Sequence, residues 1–388
     1  MRTAHAAHGG SAKRALAPTR RTVQPSNIPA SRRYARGDEL CVARQTSLAK
    51  LGNRPWRPGG DLAWLLLASM LAVARHSSVR VEGSDLHWSE LGQGRPLVLL
   101  HGLCDSHRTW SCVAPLLARA RRVLMPDLAG HGLSGRPDAS YALEWHARVI
   151  GAWLRALCLD DLDLVGHSYG GGVAQWMLLE HRSYIRRLAL VAAGGLGREV
   201  GLALRLASIP HLVERLGQPF MAHGTRIALK AAGGAYTPED IAELARINAT
   251  PGTARAFARS VRDVIDWRGQ RRHFLDRIHK IGELPPIALF WGERDTVIPL
   301  AHAIEATSVI KGATLTRFMG CGHFPHRQDP ERFVRALEAF LDVPRAYRAR
   351  VRAEQEGGRT ANMIRRFPCP AVRANLREGD GGGACDAV

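Results

Sequence analysis

Ser168, Asp295 and His323 stand in three stretches that each leave an apolar run and end among turn residues. A serine hydroxyl is a weak nucleophile near neutral pH and needs a base within hydrogen-bond reach. A histidine can take that proton and return it to a leaving group. A carboxylate behind the ring fixes its tautomer and stabilises the imidazolium. The serine lies in Asp163-Leu164-Val165-Gly166-His167-Ser168-Tyr169-Gly170-Gly171-Gly172. This reads as a buried strand passing through Gly-x-Ser-x-Gly into a helix, a nucleophile elbow that lifts the hydroxyl above the end of a sheet. Gly166 and Gly170 are needed there, because a side chain at either position would strike the neighbouring strand or helix. Phe290-Trp291-Gly292-Glu293-Arg294-Asp295 presents an acid at a strand end, and Met319-Gly320-Cys321-Gly322-His323-Phe324-Pro325 presents a histidine on a glycine-lined loop. The chain order Ser, Asp, His is the order expected when loops at one edge of a parallel sheet converge. Glu293 competes as the acid and His326 as the base.

The elements that must position these groups follow from hydrophobic patterning. Short alternating segments at 78–82 and 86–90 suit an antiparallel hairpin. The continuous apolar run at 96–100 marks a strand buried on both faces. A helix is expected over 109–120, a strand over 122–125, a helix over 143–158, the strand before Ser168, a helix over 171–181 and a strand over 187–192. Alternation lapses between residues 198 and 283, where amphipathic patterns at 203–216, 238–247 and 254–265 predict helices and no strand. It resumes with a strand over 286–291, a helix over 300–307, a strand over 314–319 and a helix over 331–341. Alternating strands and helices imply an α/β fold, a mostly parallel sheet with helices on both faces, interrupted by a helical insertion.

With these motifs in order, residues 79–343 resemble the α/β-hydrolase-fold family. Leu100-His101-Gly102-Leu103 resembles its oxyanion loop, and Asp127-Leu128-Ala129-Gly130-His131-Gly132-Leu133-Ser134 resembles its Asp-x-x-Gly-x-Gly-x-Ser turn. The resemblance implies an eight-stranded sheet, a core over 76–197 and 284–344, and a helical cap over 198–283. It implies Ser168 as nucleophile, His323 as base and Asp295 as acid, since these occupy the family's positions rather than His326 and Glu293. The backbone N–H groups of Leu103 and Tyr169 are implied as oxyanion donors. His101, His131 and His167 are expected to pack or to orient loops. Serine at the elbow argues against epoxide hydrolases and haloalkane dehalogenases, whose resemblance would require aspartate there. Two chemistries remain, cleavage of an ester and cleavage of a carbon–carbon bond in a ring-cleavage-type dienoate. The second is suggested by Gly194-Gly195-Leu196-Gly197, which resembles the cap entrance of such enzymes. Leu103-Cys104-Asp105 replaces their glycine-rich stretch, and Phe324 stands where they often carry tryptophan. A catalytically inactive binding or scaffold protein of the same fold is the alternative from another class. Leu206, Ile209, Leu212, Leu216, Phe220 and Met221 suggest an apolar substrate site. Arg198, Arg205 and Arg226 are candidate carboxylate partners that are expected to be surface residues.

The chain of 388 residues has a formal net charge of +19. Residues 1–58 carry 12 Lys/Arg against 2 Asp/Glu, and residues 345–388 carry 9 Arg against 5 acids. The basicity lies mostly in these two segments, which read as disordered tails, so a nucleic-acid-reading face on the core is not expected. Residues 62–74 form an apolar run of thirteen, short of the roughly 20 that span a bilayer. With the basic leader, the helix expected over 59–75 suggests peripheral membrane contact for an otherwise cytoplasmic protein. The seven cysteines are scattered, without a Cys-x-x-Cys pair or a His/Cys cluster, so neither a metal nor an organic cofactor is expected. The glycine run after Ser168 lacks the Lys-Ser/Thr ending of a phosphate-cradling loop.

Overall fold

In the computed structural model, residues 74–209 and 212–342 are described. The two tails, and the apolar segment up to residue 73, lie outside the described residues. Strand β1 (Arg75–Val81) and strand β2 (Ser84–Leu91) form an antiparallel hairpin. Glu82 and Gly83 at its turn both have positive φ, 47° and 75°, the mirror-image geometry that matches the right-handed twist of paired strands. Four strands follow before the insertion: β3 (Arg95–Leu100), β4 (Arg121–Pro126), β5 (Leu162–His167) and β6 (Ile185–Val191). Within the insertion β7 (Ile265–Asp266) and β8 (Gly269–Gln270) pair only with each other, a small hairpin where no strand is predicted. Strands β9 (Ile287–Gly292) and β10 (Thr314–Phe318) complete an eight-stranded sheet of order β1-β2-β4-β3-β5-β6-β9-β10. From β4 to β10 every neighbouring pair is parallel, and β2 meets β4 antiparallel.

The apolar strands divide their side chains between two cores. Val98, Leu100, Leu124, Leu164, Leu188 and Leu289 face one side, with helices α2 (Leu143–Ala156) and α3 (Tyr169–Glu180). Leu97, Leu99, Val123, Val165, Ala189 and Phe290 face the other, with the short helix α1 (Ala114–Leu117) and the C-terminal helix residues Phe333, Leu337 and Phe340. Successive strand residues point to opposite faces, so a sheet covered on both sides needs a continuous apolar run. Fully burying each such side chain contributes roughly 1.5–3 kcal/mol.

Two predicted helices are broken. The segment 109–120 gives a 3₁₀ turn, His107–Trp110, and then α1 with Pro115 in its first turn. Proline is tolerated there but cannot continue a helix from the preceding turn. The segment 203–216 gives α4 (Leu202–Ala207) and α5 (Leu212–Leu216), and Pro210 stands between them in the sequence. The insertion continues with α6 (Met221–Lys230), α7 (Pro238–Asn248) and α8 (Thr253–Val264). Thr237 caps α7 by accepting the N–H of Asp240, with Pro238 at the first helical position. After β9 come α9 (Ala301–Val309), α10 (Pro325–Gln328) and α11 (Pro330–Asp342). Among the described residues no helix is long and apolar enough to cross a membrane.

The strand order reverses at one place. From β3 the chain moves outward to β4, then crosses back over β3 to lay down β5 on its other side. Ligands of open α/β sheets bind at such a switch point, beyond the carboxyl ends of the strands. Ser168 follows the end of β5 there, and Leu103 lies on the loop after β3.

Candidate active site

The elbow is fixed by backbone. Ser168 has φ 52° and ψ −117°, a conformation that costs a non-glycine residue of order 1–3 kcal/mol and persists where surrounding structure over-determines it. Its N–H donates to Val191 O at 3.0 Å, and its carbonyl accepts from Gly171 at 3.0 Å and Gly194 at 3.1 Å. A Cβ on Gly166 would lie 2.5 Å from Gly170 O, and one on Gly170 would lie 2.4 Å from His101 O. The first glycine therefore lets the helix start close over its own strand, and the second lets that helix start against the end of β3. Helix α3 is buried all along Tyr169–Leu178, so it enters the core directly below the serine.

The two later loops bring their groups to this point. His323 Nε2 lies 2.9 Å from Ser168 Oγ, and its Nδ1 lies 2.9 Å from Asp295 Oδ2. The second oxygen of Asp295 accepts the N–H groups of Val297 and Ile298, both at 2.9 Å. That carboxylate is buried and held from two sides, which aims it at the imidazole. A Cβ on Gly292 would lie 2.0 Å from Gly322 O; the glycine after β9 thus allows the acid and histidine loops to touch. The two competing candidates stand apart from this line. Glu293 is exposed. His326 is fully buried and engages Thr109 Oγ1 through Nε2 at 3.1 Å.

The loop after β3 runs beside the serine, since a Cβ on Gly102 would lie 3.3 Å from Ser168 Cβ. Leu103 follows on that loop, and Tyr169 opens α3, where the first N–H groups have no intrahelical acceptor. Among the described residues, no backbone carbonyl accepts from either N–H. The neighbouring histidines hold loops. His101 accepts the N–H of Leu128 through Nε2 at 2.9 Å and faces Gly102 O through Nδ1 at 2.7 Å. Burial and the adjacent His323 push His167 well below the usual histidine range. Its ring is therefore neutral and donates through Nε2 to His323 O at 2.9 Å, which braces the backbone of the histidine loop. His131 faces Ala129 O at 3.1 Å.

Sequence patterning does not reveal a polar cluster that joins the insertion to the β3 loop. Tyr236 donates its hydroxyl to buried Asp105, and the same hydroxyl lies 3.1 Å from Thr109 Oγ1. Asn248 donates to Cys104 O at 2.7 Å. Arg327 pairs with Asp240 at 2.7 Å, and its guanidinium lies 4.1 Å over the Tyr236 ring. Removing one partner of a buried pair of this kind costs about 3–5 kcal/mol. Burial, reinforced by Asp105, pushes the Cys104 thiol up to about 12, so it stays protonated near neutral pH. Of the apolar residues expected to line a substrate site, Met221 is buried, whereas Leu206, Ile209, Leu216 and Phe220 are exposed; the side chain of Leu212 lies outside the described residues. Arg198 and Arg226 are exposed, and Arg205 donates to Val200 O at 3.1 Å.

Comparison with known proteins identifies the fold family. The family model for the alpha/beta hydrolase fold matches residues 95–330. An uncharacterized protein of Mycobacterium tuberculosis is 37% identical over 262 residues, covering 65% of this chain and 76% of the relative. The 2-hydroxymuconate semialdehyde hydrolase of Pseudomonas sp. (strain CF600) is 30% identical over 269 residues, covering 66% of this chain and 90% of the relative. The crystal structure of wild-type Cfl2 from Burkholderia cenocepacia superposes with a TM-score of 0.60 at 25% identity, over 69% of this chain and 95% of that one. The chain belongs to the α/β-hydrolase family and is a hydrolase of that fold.

Proposed function

We propose that the protein is a serine hydrolase that cleaves an ester of an apolar small molecule through an acyl-enzyme. The observation that carries this reading is the continuous line Asp295–His323–Ser168, with both hydrogen bonds at 2.9 Å and the serine on a strained turn. Ser168 Oγ attacks the carbonyl carbon as its proton passes to His323 Nε2. The oxyanion is held by the N–H groups of Leu103 and Tyr169, each donor worth about 2.7–4 kcal/mol of barrier. The proton on His323 then goes to the departing alcohol. Water, deprotonated by the same nitrogen, releases the acid and restores the serine. A fluorophosphonate probe should label the protein at Ser168. No labelling, or labelling that survives Ser168→Ala, would sink the proposal.

A second reading is hydrolysis of a carbon–carbon bond in a vinylogous dienoate. It is favoured by the likeness to the Pseudomonas semialdehyde hydrolase and by Gly194-Gly195-Leu196-Gly197. Gly195 meets the insertion, its N–H donating to Gln270 Oε1 at 2.7 Å, and a Cβ on Gly197 would lie 2.3 Å from the ring of His302 on α9. Against it stands the β3 loop, where buried Asp105 replaces the glycine-rich stretch near the site that would receive an anionic dienoate. Turnover of p-nitrophenyl esters of graded chain length, set beside a ring-cleavage dienoate, separates the two. Turnover of the dienoate alone would reverse the order. The basic leader and residues 59–75 add a proposed peripheral contact with anionic membranes, weakened by salt. Vesicle binding that is insensitive to salt and persists after deletion of residues 1–75 would refute it.

A further inference from the structure

The fold gathers three histidines that are scattered in the sequence. In the β1–β2 hairpin His76 is opposite Ser89 and His87 is opposite Ser78, so the two histidines are diagonal neighbours on one face. His107 reaches them from the 3₁₀ turn after β3, and Asp127 follows the end of β4. Ring centroids are 5.3 Å apart for His76 and His87, 5.5 Å for His76 and His107, and 5.3 Å for His87 and His107. Three imidazoles bound tetrahedrally at metal–nitrogen distances of about 2.05 Å place their centroids about 5.2 Å apart and their ligating nitrogens about 3.3 Å apart. His76 Nδ1 and His87 Nε2 are 3.3 Å apart.

Asp127 sets the tautomers. Its oxygens take His87 Nδ1 at 2.9 Å and His107 Nδ1 at 3.0 Å, besides the N–H groups of His107 at 2.6 Å and Leu133 at 2.8 Å. The carboxylate is already satisfied by these four donors. That leaves Nε2 as the lone-pair nitrogen of His87, where it faces His76 Nδ1, and of His107, the arrangement by which a carboxylate orients metal-binding histidines. We propose that His76, His87 and His107 bind one divalent transition-metal ion of the zinc class, with Asp127 as the orienting carboxylate. Imidazole nitrogens favour zinc, copper or nickel over magnesium or calcium. His76 is exposed, so water can complete the coordination and the ion can enter. Bound there, the ion staples the N-terminal hairpin to the loops after β3 and β4.

The test uses the full chain, stripped by chelator and titrated with zinc against a competing chelator. The wild type should hold one more equivalent of zinc than a His76→Ala/His107→Ala double variant, and Co²⁺ should give the visible bands of a tetrahedral site only in the wild type. Zinc at 100 times its Kd should raise Tm by roughly 5–10 °C in the wild type and not in the variant; magnesium and calcium should leave both unchanged. Equal zinc content and equal Tm response in the two proteins would overturn the proposal. If the double variant does not fold, His76→Gln decides, because His76 lies on the exposed edge strand. It should lose at least tenfold in zinc affinity, and unchanged affinity would overturn the site.

Discussion

The turn around Ser168 and the insertion between β6 and β9 are held by opposite means. At the elbow the constraint is steric and made by backbone: glycines abut carbonyls, and the strands and helix beneath are buried. Among the described residues the insertion forms two small apolar clusters, around Val200, Val261 and Ile265, and around Ala235, Tyr236 and Leu244, while Ala256, Phe274 and Ile281 join the main core. Much of its apolar surface faces outward, Leu216 at 63% and Phe220 at 67% exposure. Polar contacts between side chains do the rest, such as Arg136 to Thr253 at 2.8 Å and Arg259 to Glu214 at 2.8 Å. The proposed chemistry thus lies on the part that cannot move without a clash. The part that can be altered cheaply is where a change in substrate would begin.

The sharpest separation between the two regions is catalytic. Ser168→Ala should lower kcat/KM for a p-nitrophenyl ester by roughly 10⁴-fold or more without lowering Tm. A surviving rate within tenfold would remove the elbow from the chemistry. Glycine gives the next contrast, because the same substitution should have opposite signs in the two regions. Gly170→Ala puts a methyl 2.4 Å from His101 O and 2.7 Å from Leu100 O. It should cost about 3 kcal/mol, roughly 6–12 °C in Tm. Gly224 lies inside α6, and a Cβ there meets nothing within 4 Å. Gly224→Ala should therefore stabilise by about 0.5–1 kcal/mol. Two changes of the same sign would contradict the contrast.

The same division explains what could be seen in the sequence. Strand and glycine patterns are local, so Gly166, Ser168 and Gly170 announce their geometry within five residues. Asp295 and His323 are legible because each follows an apolar strand whose end must lie at the same sheet edge. The insertion is half legible: α7 and α8 follow their amphipathic periods, but 203–216, which periodicity alone joins, gives the two helices α4 and α5. The cluster of Asp105, Thr109, Tyr236 and His326, and that of His76, His87, His107 and Asp127, left no pattern. Each draws single polar residues from distant segments, and only the folded chain sets their separation.

Acid stress should load the core through a buried histidine. His146 is fully buried, and neither ring nitrogen has a hydrogen-bond partner among the described residues. Burial, with a smaller contribution from His101, pushes it down to about 3. Its folded-state value is below the unfolded one near 6.5, so its stabilising contribution is complete above pH 6.5 and is lost as pH falls towards 3. Between pH 6.5 and pH 5 that loss is about 2 kcal/mol. His146→Leu should remove it, so the fall in Tm from pH 7.5 to 5.0 becomes smaller by roughly 4–8 °C. Parallel pH profiles for the two proteins would show that the core does not carry this load.

The smallest effect on stability is expected at the outward face of the insertion. Phe220→Ser removes a ring that is mostly in water already, so Tm should stay within about 2 °C, as surface substitutions usually change stability by no more than 0.5 kcal/mol. Its effect should fall instead on substrate length. If this face meets the acyl chain, a contact worth about 1 kcal/mol is lost, and KM for a long-chain p-nitrophenyl ester rises roughly threefold to tenfold while the acetate ester is unaffected. A fall in Tm comparable to that of Gly170→Ala would mean that the insertion is built as rigidly as the elbow. An equal change for short and long esters would mean that Phe220 acts on the chemistry and not on the chain.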